Sequence, residues 1–162
     1  MDDWREPAGR EDHSTAVVGG ELYLWGGGQK GNLKVHDSAE KRAFLSNVEV
    51  FSTTTGRWEQ HATTGTPPLG VQAYSCVAIR NELHYFGGYC GHGYCYHNSV
   101  HSTLQWRMLA PSTTEGGAPM QKSLCGMVHF TDGEEDLLYV VVGGWSNTPT
   151  NEQHIFSLST SE

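Results

Sequence analysis

The sequence predicts an all-β protein built from about three four-stranded antiparallel units. Only 17% of its 162 residues are charged and 20 are glycine, a composition typical of strand-rich proteins with many turns. Three segments line up on a double glycine that ends an apolar run: HSTAVVGGELYLWGG, YSCVAIRNELHYFGG and CGMVHFTDGEEDLLYVVVGG. No stretch shows the spacing of an amphipathic helix, so we expect strands throughout. Segments that recur in this way predict one supersecondary unit per repeat.

Each unit opens with a predicted β-hairpin, in which a short polar turn joins two apolar runs. The turns are GGE, RNE and TDGEED. The first strands are predicted at Thr15–Val18, Ser75–Ile79 and Met127–Phe130. The second strands, each of which ends in a glycine pair, are predicted at Leu22–Trp25, Leu83–Phe86 and Leu137–Val142.

Two further strands are expected in each unit. Third strands are predicted at Val48–Phe51, Tyr96–Val100 and His154–Leu158. Trp58 and Trp106 each open a fourth strand in the first two units, whereas the third unit lacks its final strand. The segment around Trp4 is a candidate for the equivalent of that strand. The predicted units span about 11–62, 72–110 and 122–160.

Four strands per unit, a glycine pair after the second and a tryptophan at the fourth resemble kelch repeats, and the resemblance covers residues 10–158. It implies an incomplete kelch-type β-propeller of about three blades, numbered 1 to 3 below. Glycine accepts backbone angles and close approaches that other residues do not, which suits the point where the second strand leaves each blade. Trp58 and Trp106 are expected to fill the space between neighbouring blades. The glycine pairs are Gly26 and Gly27, Gly87 and Gly88, and Gly143 and Gly144.

The number of repeats bears on assembly. Propellers have about four to eight blades, so three blades leave unpaired blade faces. Two interpretations stay open: the sequence is a piece of a larger propeller, or two chains assemble a six-bladed ring. The second interpretation predicts self-association through the unpaired blade faces.

Charge and apolar content exclude several classes of partner. The formal net charge of −8 disfavours nucleic acid and anionic membrane surfaces, because both repel an acidic protein. The first residues, MDDWREPAGRED, lack the regions of a signal peptide, and the longest apolar run, LLYVVV, is too short to span a bilayer. Cys76 and Cys125 lie in apolar predicted strands, where a thiol behaves as a small hydrophobe. We expect a reduced cytoplasmic protein, although four cysteines leave disulfides open.

The stretch HYFGGYCGHGYCYHNSVH combines cysteine and histidine at spacings that suit zinc. Cys90 and Cys95 are spaced C-x4-C, and His97 and His101 are spaced H-x3-H. The predicted third strand, Tyr96–Val100, holds His97 near its start and His101 directly after its end. Residues four apart on a strand lie about 13 Å from each other, so the two histidines converge on one ion only if the strand ends early. We therefore predict a structural loop with no metal site and no cofactor. Cys90, His92 and Cys95 in the glycine-rich loop remain candidate ligands.

The residues directly after the glycine pairs are predicted partner-binding positions. Exposed aromatic side chains on the loops of a rigid scaffold commonly form protein-binding faces. Tyr89 and Trp145 occupy this position in blades 2 and 3, and packing between blades is an equally good interpretation of both. In blade 1 the position is Gly28, which is followed by a long insertion, Gln29–Leu45.

The insertion carries four of the ten basic residues of the chain. Long structured loops tend to be functional, so we predict that these basic side chains contact a partner; a mobile solvated loop is the alternative. They are Lys30, Lys34, Lys41 and Arg42.

Within the kelch family, TTTGRWEQHATTGTPP, LHYFGGY and STLQWRML are most similar to the kelch-domain substrate receptors of cullin ubiquitin ligases. That similarity implies binding of the extreme C-termini of target proteins in a pocket on one propeller face. In those receptors an aromatic residue commonly follows a glycine pair, as Tyr89 and Trp145 do here and Gly28 does not. We therefore predict a non-enzymatic module that binds a peptide or protein partner.

Two alternatives stay open beside this prediction. One is a structural scaffold, since some kelch proteins are actin-associated. The other is a copper enzyme, since galactose oxidase-like members of the fold hold copper with Tyr and His and carry a Tyr–Cys crosslink. A few aromatic and thiol groups in one loop do not define a catalytic geometry. The residues that invite this comparison are Tyr85, Tyr89, Tyr94 and Tyr96, beside Cys90.

Overall fold

The structure, a computed structural model, describes residues 5–97, 100–102, 105–109, 112–113, 121–133, 135–141 and 143–157. Within these ranges the chain forms one helix and fifteen strands. In chain order they are β1 (Arg10–Glu11), β2 (Ser14–Val18), β3 (Glu21–Trp25), β4 (Gly28–Gln29), α1 (Ala39–Leu45), β5 (Asn47–Ser52), β6 (Arg57–Ala62), β7 (Thr64–Gly65), β8 (Ser75–Ile79), β9 (Glu82–Phe86), β10 (Val100–Ser102), β11 (Gln105–Leu109), β12 (Ser112–Thr113), β13 (Gly126–Asp132), β14 (Glu135–Val141) and β15 (His154–Ser157).

Three sheets of four or five strands correspond to the three predicted blades, and the predicted all-β fold is confirmed. Blade 1 has the strand order β2-β3-β5-β6. Blade 2 has the order β8-β9-β10-β11, with β7 paired in parallel to β11 at its outer edge. Blade 3 has the order β13-β14-β15-β12. In blades 1 and 2 the four antiparallel strands follow each other in sequence, as in a β-meander.

The outer strand of blade 3 comes from a part of the chain that the sequence pattern assigned to a connector. β12 precedes the blade in sequence, and its residues Ser112 and Thr113 pair antiparallel with β15. A segment before the predicted boundary at 122 therefore contributes to this sheet. Trp4, Val142 and Leu158, which belong to other predicted strand segments, lie outside the described residues.

The predicted third strand of blade 2, Tyr96–Val100, is wrong for its first two residues. Tyr96 and His97 form isolated β-bridges and lie outside β10, which spans Val100–Ser102. Tyr96 instead pairs back with Tyr89 in an isolated β-bridge, because the loop between them turns at two glycines with positive φ. His97 consequently lies before the strand rather than on it.

The insertion of blade 1 contains the short helix α1, where only strands and loops were expected. Ser38 caps the helix by accepting a hydrogen bond from the backbone N–H of Lys41 at 3.1 Å. Its buried residues are Lys41 and Leu45, one turn apart. A lysine in the buried stripe hides the apolar periodicity by which an amphipathic helix is recognised. No helix in the described part of the chain is long and apolar enough to cross a membrane.

The glycine pairs lie where each second strand ends, and all six glycines have positive φ. The first two pairs contact the segment that leads into the following blade. Gly27 donates its N–H to the Val71 carbonyl oxygen at 2.6 Å, and Gly88 donates to that of Lys122 at 2.9 Å. A Cβ atom at Gly87 would lie 2.6 Å from the Lys122 carbonyl oxygen. Both the backbone angle and the close contact therefore favour glycine.

A second repeated feature joins the blades just before their first strands. Asp12, Ala73 and Leu124 have positive φ values of 54°, 52° and 58°. The Ala73 N–H donates to the Asp12 carbonyl oxygen at 2.8 Å, and the Leu124 N–H donates to that of Ala73 at 2.7 Å. These hydrogen bonds between blades hold a left-handed conformation that is costly for residues other than glycine. No residue type marks the three positions, so the sequence pattern did not reveal them.

Aromatic side chains fill the space between blades 1 and 2. Four buried rings pack with centroids 4.9 to 5.4 Å apart, in the tilted and edge-on orientations that aromatic pairs prefer. Trp58 is not one of them: its ring lies 5.2 Å from that of Phe51 on the neighbouring strand and is only half-buried. The inter-blade cluster consists of Trp25, Tyr74, Tyr85 and Trp106.

Candidate functional site

A cleft of about 820 Å³ lies between blades 1 and 2, at the end where their second strands leave the sheets. Its walls are the segments that precede the first strand of each of these two blades, the loop after β9 and the insertion with α1. The lining residues are 9–11, 28–34, 41, 44–45, 71–72 and 89–91. A concave site of this size, formed by loops on a rigid β-scaffold, is typical of binding surfaces.

The same backbone pairing places the residue after each glycine pair. Gly28 pairs with Glu11 in blade 1, Tyr89 pairs with Gln72 in blade 2, and Trp145 pairs with Ser123 in blade 3. In every case the partner lies just before the first strand of the same blade. The position is therefore structurally equivalent in the three repeats, and its backbone is held by a short β-pairing.

Tyr89 and Trp145 occupy different surroundings despite this equivalence. Tyr89 lines the cleft, is half-buried, and packs against Tyr96 with tilted rings whose centroids lie 5.4 Å apart. Trp145 is 42% exposed and is not among the residues that line the cleft. Its backbone pairs with Ser123 and Pro149. The structure thus brings only Tyr89 to the cleft.

Two of the predicted basic residues present free surface in the cleft. Lys30 and Lys34 both line it and are exposed. Leu33 and Phe44, also in the lining, expose 41% and 42% of their surface. Glu11, also exposed in the lining, is outnumbered by these two lysines. Exposed ammonium groups next to exposed apolar side chains form a surface that attracts an acidic ligand with apolar residues.

Lys41 is buried and stabilises the fold instead of lying exposed at the surface. It is only 2% exposed, and its Nζ donates hydrogen bonds to the carbonyl oxygens of Val35 (2.7 Å), His36 (3.4 Å) and Cys90 (2.9 Å). Burial lowers the pKa of this ammonium group, and nearby Asp37 opposes that shift. Lys41 therefore ties the insertion to the loop after β9, and its charge is not presented to a partner.

Arg42 does not line the cleft and belongs instead to the lining of a separate depression of about 450 Å³. Its guanidinium donates to both carboxylate oxygens of Asp37, at 2.7 and 2.6 Å. This paired hydrogen bond holds the pKa of Asp37 below its usual value and raises that of Arg42. The four basic residues of the insertion thus divide into two at the cleft surface, one buried and one in an ion pair.

The loop after β9 brings cysteine and histidine together in a way that the sequence pattern did not predict. Cys90 and Cys95 are joined by a disulfide. The Nδ1 atom of His36 lies 3.0 Å from the Cys95 sulfur, and the Nε2 atom of His97 lies 3.5 Å from it. His92, a predicted candidate ligand, does not belong to this group.

His36 was missed because nothing in the sequence says which blade 2 loop the insertion contacts. The only available signal was that the insertion contains a histidine. His97 was set aside because a predicted strand would have carried it away from the loop. In the structure His97 forms an isolated bridge with Lys122 outside β10, so the argument against it does not hold. The Cys90 sulfur is bonded to Cys95 rather than to a tyrosine, unlike the Tyr–Cys crosslink of the copper-enzyme alternative.

Comparison with known proteins yields one matching family model and several curated relatives. The model of the KLHDC2/KLHL20/DRC7 Kelch-repeats domain matches residues 3–162. The Rab9 effector protein with kelch motifs from Homo sapiens is 34% identical over 86 residues, covering 52% of this chain and 21% of that protein. Its counterpart in Danio rerio is 31% identical, with 52% of this chain and 22% of that protein covered. Kelch domain-containing protein 3 of Bos taurus is 24% identical over 107 residues, or 64% of this chain and 25% of that protein. The chain therefore matches only about a fifth to a quarter of the length of these relatives.

Proposed function

This chain belongs to the kelch-repeat family, and from that premise we propose that it is a non-enzymatic protein-binding module that uses the cleft between blades 1 and 2. The observation that carries the proposal is the lining of the cleft. It combines exposed Lys30 and Lys34 with the exposed apolar side chains of Leu33 and Phe44 and the ring of Tyr89. Aromatic and apolar groups beside a few charges are the usual composition of a recognition surface.

The charges of the cleft select the ligand class. Lys30 and Lys34 take part in none of the hydrogen bonds or ion pairs described above and face solvent, so a carboxylate can pair with either of them. Arg10, also in the lining, is engaged internally, because its guanidinium donates to the Gly26 carbonyl oxygen at 2.9 Å and lies 3.9 Å from Glu49. The ligand is therefore an acidic peptide segment with at least one apolar side chain.

The relatives support protein binding in general terms. One group of them is named as an effector protein with kelch motifs, and kelch repeats typically mediate protein–protein interaction. A narrower version of the proposal is a receptor for target C-termini, as in the substrate receptors of cullin ubiquitin ligases; a terminal carboxylate is one source of the acidic group. We also propose a cytoplasmic location, where such receptors meet their targets.

Charge reversal tests the cleft. With fluorescently labelled acidic peptides that contain one aromatic residue, the double variant Lys30→Glu/Lys34→Glu is expected to bind at least about tenfold more weakly, which corresponds to about 1.4 kcal/mol. Tyr89→Ala is expected to weaken binding as well, because its ring lines the cleft. Raised salt should reduce the affinity of the native protein, since exposed charges are screened.

A matched control comes from Arg57 and Arg80. Both are exposed and lie at the hairpin turns, at the opposite end of the sheets from the glycine pairs. Arg57→Glu/Arg80→Glu changes the net charge by the same amount and is expected to leave peptide binding unchanged. If the cleft variant binds as tightly as the control variant, the cleft is not the binding site.

The outer face of blade 3 supports a second proposal, association of two copies of this chain. On β13, Met127 is buried against Phe86 and Phe156 of the core between blades 2 and 3, whereas Val128 and Phe130 are 48% and 39% exposed. In a propeller each blade face packs on a neighbouring blade. A second chain would cover these apolar side chains.

Light scattering tests this association. We expect a mass of twice 17.8 kDa at micromolar concentration, and a shift towards the single-chain mass in the variant Val128→Lys. A monodisperse particle of 17.8 kDa across the concentration range would contradict self-association. That result would leave the proposed peptide cleft unaffected.

A further inference from the structure

Four side chains from two distant parts of the chain converge at one edge of the cleft. The insertion contributes His36, and the loop after β9 contributes Cys90, Cys95 and His97. Their ligand-type atoms all lie within 4.8 Å of one another. We infer that the reduced protein binds one Zn²⁺ ion at this Cys2His2 cluster, independently of the partner proposed for the cleft.

The two distances from the Cys95 sulfur to imidazole nitrogens are near those of a zinc site. Bonds of about 2.3 Å to sulfur and about 2.0 Å to nitrogen place neighbouring ligand atoms of a tetrahedral site about 3.5 Å apart. The Cys95 sulfur lies 3.0 Å from His36 Nδ1 and 3.5 Å from His97 Nε2. The Cys95 sulfur and His36 Nδ1 must move apart by about 0.5 Å to reach this separation. The two sulfur atoms must separate much further, because the disulfide joins them.

Backbone hydrogen bonds hold the loop that carries three of these ligands. The N–H of Cys90 donates to the carbonyl oxygen of Cys95 at 3.0 Å, and the N–H of Cys95 donates to that of His92 at 3.3 Å. The N–H of His97 donates to the carbonyl oxygen of Gly88 at 3.0 Å, which anchors the loop at the glycine pair. The loop is therefore closed by the backbone, and its ligands stay near each other when the disulfide is broken.

The fourth ligand is placed by Lys41. Its buried ammonium group binds carbonyl oxygens on both sides of the cluster, those of Val35 and His36 in the insertion and that of Cys90 in the loop. The ring of His36 also stacks on that of His97, with centroids 5.6 Å apart. These contacts bring the His36 segment to the cysteines without help from the disulfide.

The donor set favours zinc over other common divalent ions. Two thiolates and two imidazoles are the ligands of structural zinc sites, whereas Mg²⁺ and Ca²⁺ prefer oxygen. The spacing C-x4-C also lies within the range found in such sites. Cys90 is buried, Cys95 and His97 are half-buried and His36 is exposed, so the site has both a protected side and a path for the ion from solvent.

Metal binding requires the reduced form, and the chemistry balances with a dithiol reductant. A dithiol transfers two electrons and two protons to the Cys90–Cys95 disulfide, giving two cysteine thiols and the oxidised cyclic disulfide of the reductant. Zn²⁺ then displaces the two thiol protons and forms two Zn–S bonds, while the imidazoles bind through neutral nitrogen atoms. Two thiolates neutralise the charge of the ion, so the core of the site carries no net charge.

Metal content provides the test. Protein purified under dithiol reduction and incubated with Zn²⁺ alone, followed by removal of unbound ion, is expected to hold about one zinc per chain by elemental analysis. Titration of the reduced protein with Co²⁺ is expected to produce the visible absorption of a tetrahedral thiolate complex. Cys95→Ser and His36→Gln are expected to weaken Co²⁺ binding at least about tenfold. His92→Gln, in the same loop but outside the cluster, is expected to bind as the native protein does.

Two further measurements keep folding and binding apart. Circular dichroism establishes that each variant is folded before titration. Alkylation followed by mass spectrometry should show that Zn²⁺ protects Cys90 and Cys95 of the reduced protein from alkylation. The extent of alkylation at Cys76 and Cys125 should be the same with and without Zn²⁺. A folded, reduced native protein that holds no zinc and gives no tetrahedral Co²⁺ spectrum would overturn the inference. Equal binding by His36→Gln and native protein, or loss of binding in His92→Gln, would also overturn the Cys2His2 assignment.

Discussion

Replacing Trp25 with alanine is expected to lower the free energy of unfolding by about 4 kcal/mol, the range seen for large aromatic side chains truncated in a packed core. Trp25 is 1% exposed and contacts three other rings of the inter-blade cluster. Its Nε1–H also donates to the carbonyl oxygen of Leu45 at 2.8 Å, which attaches the last residue of α1 to the core. Small domains have total stabilities of about 5 to 15 kcal/mol, so this substitution removes between roughly a quarter and most of the stability of such a domain.

Urea unfolding followed by circular dichroism measures this effect, and two comparisons identify its cause. Trp58→Ala should cost less, because Trp58 is only half-buried and lies outside the inter-blade cluster, with its ring against Phe51. The loss of stability in Trp25→Phe should fall between that of Trp58→Ala and that of Trp25→Ala. Phenylalanine keeps most of the ring contact but loses the hydrogen bond to Leu45. If Trp25→Ala and Trp58→Ala destabilise equally, the cluster between blades 1 and 2 does not dominate the stability of the fold.

Replacing Gly88 with alanine is expected to lower the free energy of unfolding by about 3 kcal/mol, of which about 1 kcal/mol comes from its backbone angle and the rest from overlap. Gly88 has a φ of 95°. A Cβ atom there would lie 2.5 Å from the carbonyl oxygen of Gly70 and 2.8 Å from its carbonyl carbon. Both are backbone atoms and cannot rotate away, so the loops themselves must separate.

Gly56 provides the matched control for Gly88. It also has positive φ, at 66°, but a Cβ atom there would meet nothing within 4 Å. Gly56→Ala should therefore cost only the conformational term of about 1 kcal/mol. The difference between the two variants in their free energies of unfolding, measured with urea, gives the cost of the overlap between the Cβ atom at position 88 and the backbone of Gly70. Equal destabilisation would show that the glycine pair is required only for its φ angle.

The strand pattern was largely predictable because its signal is local. Apolar alternation, polar turns and glycine pairs all lie within a few residues of the strands they mark. The first-strand prediction Ser75–Ile79 agrees residue for residue with β8. The family model over residues 3–162 confirms the resemblance to kelch repeats. Local signals failed where a strand was short or came from elsewhere, as β10 and β12 show.

The candidate site was less predictable, because it depends on contacts between distant segments. The sequence placed Tyr89, Lys30 and Lys34 on loops but did not show that they line one cleft. From the sequence, Lys41 was predicted to contact a partner. In the structure its ammonium group is instead surrounded by three carbonyl oxygens of the insertion and of the loop after β9. A side chain of this length is equally suited to either role until its neighbours are known.

The sequence by itself determined the number of blades, the hairpin at the start of each and the glycines that end the second strands. Each of these follows from short-range periodicity and from the backbone freedom of glycine. Tertiary structure alone decided that β12 completes blade 3, that the insertion folds as α1 around a buried lysine, and that His36 meets Cys90, Cys95 and His97. The last two outcomes depend on how blades 1 and 2 pack, since packing, not sequence distance, sets which loops come within hydrogen-bond or metal-ligand reach.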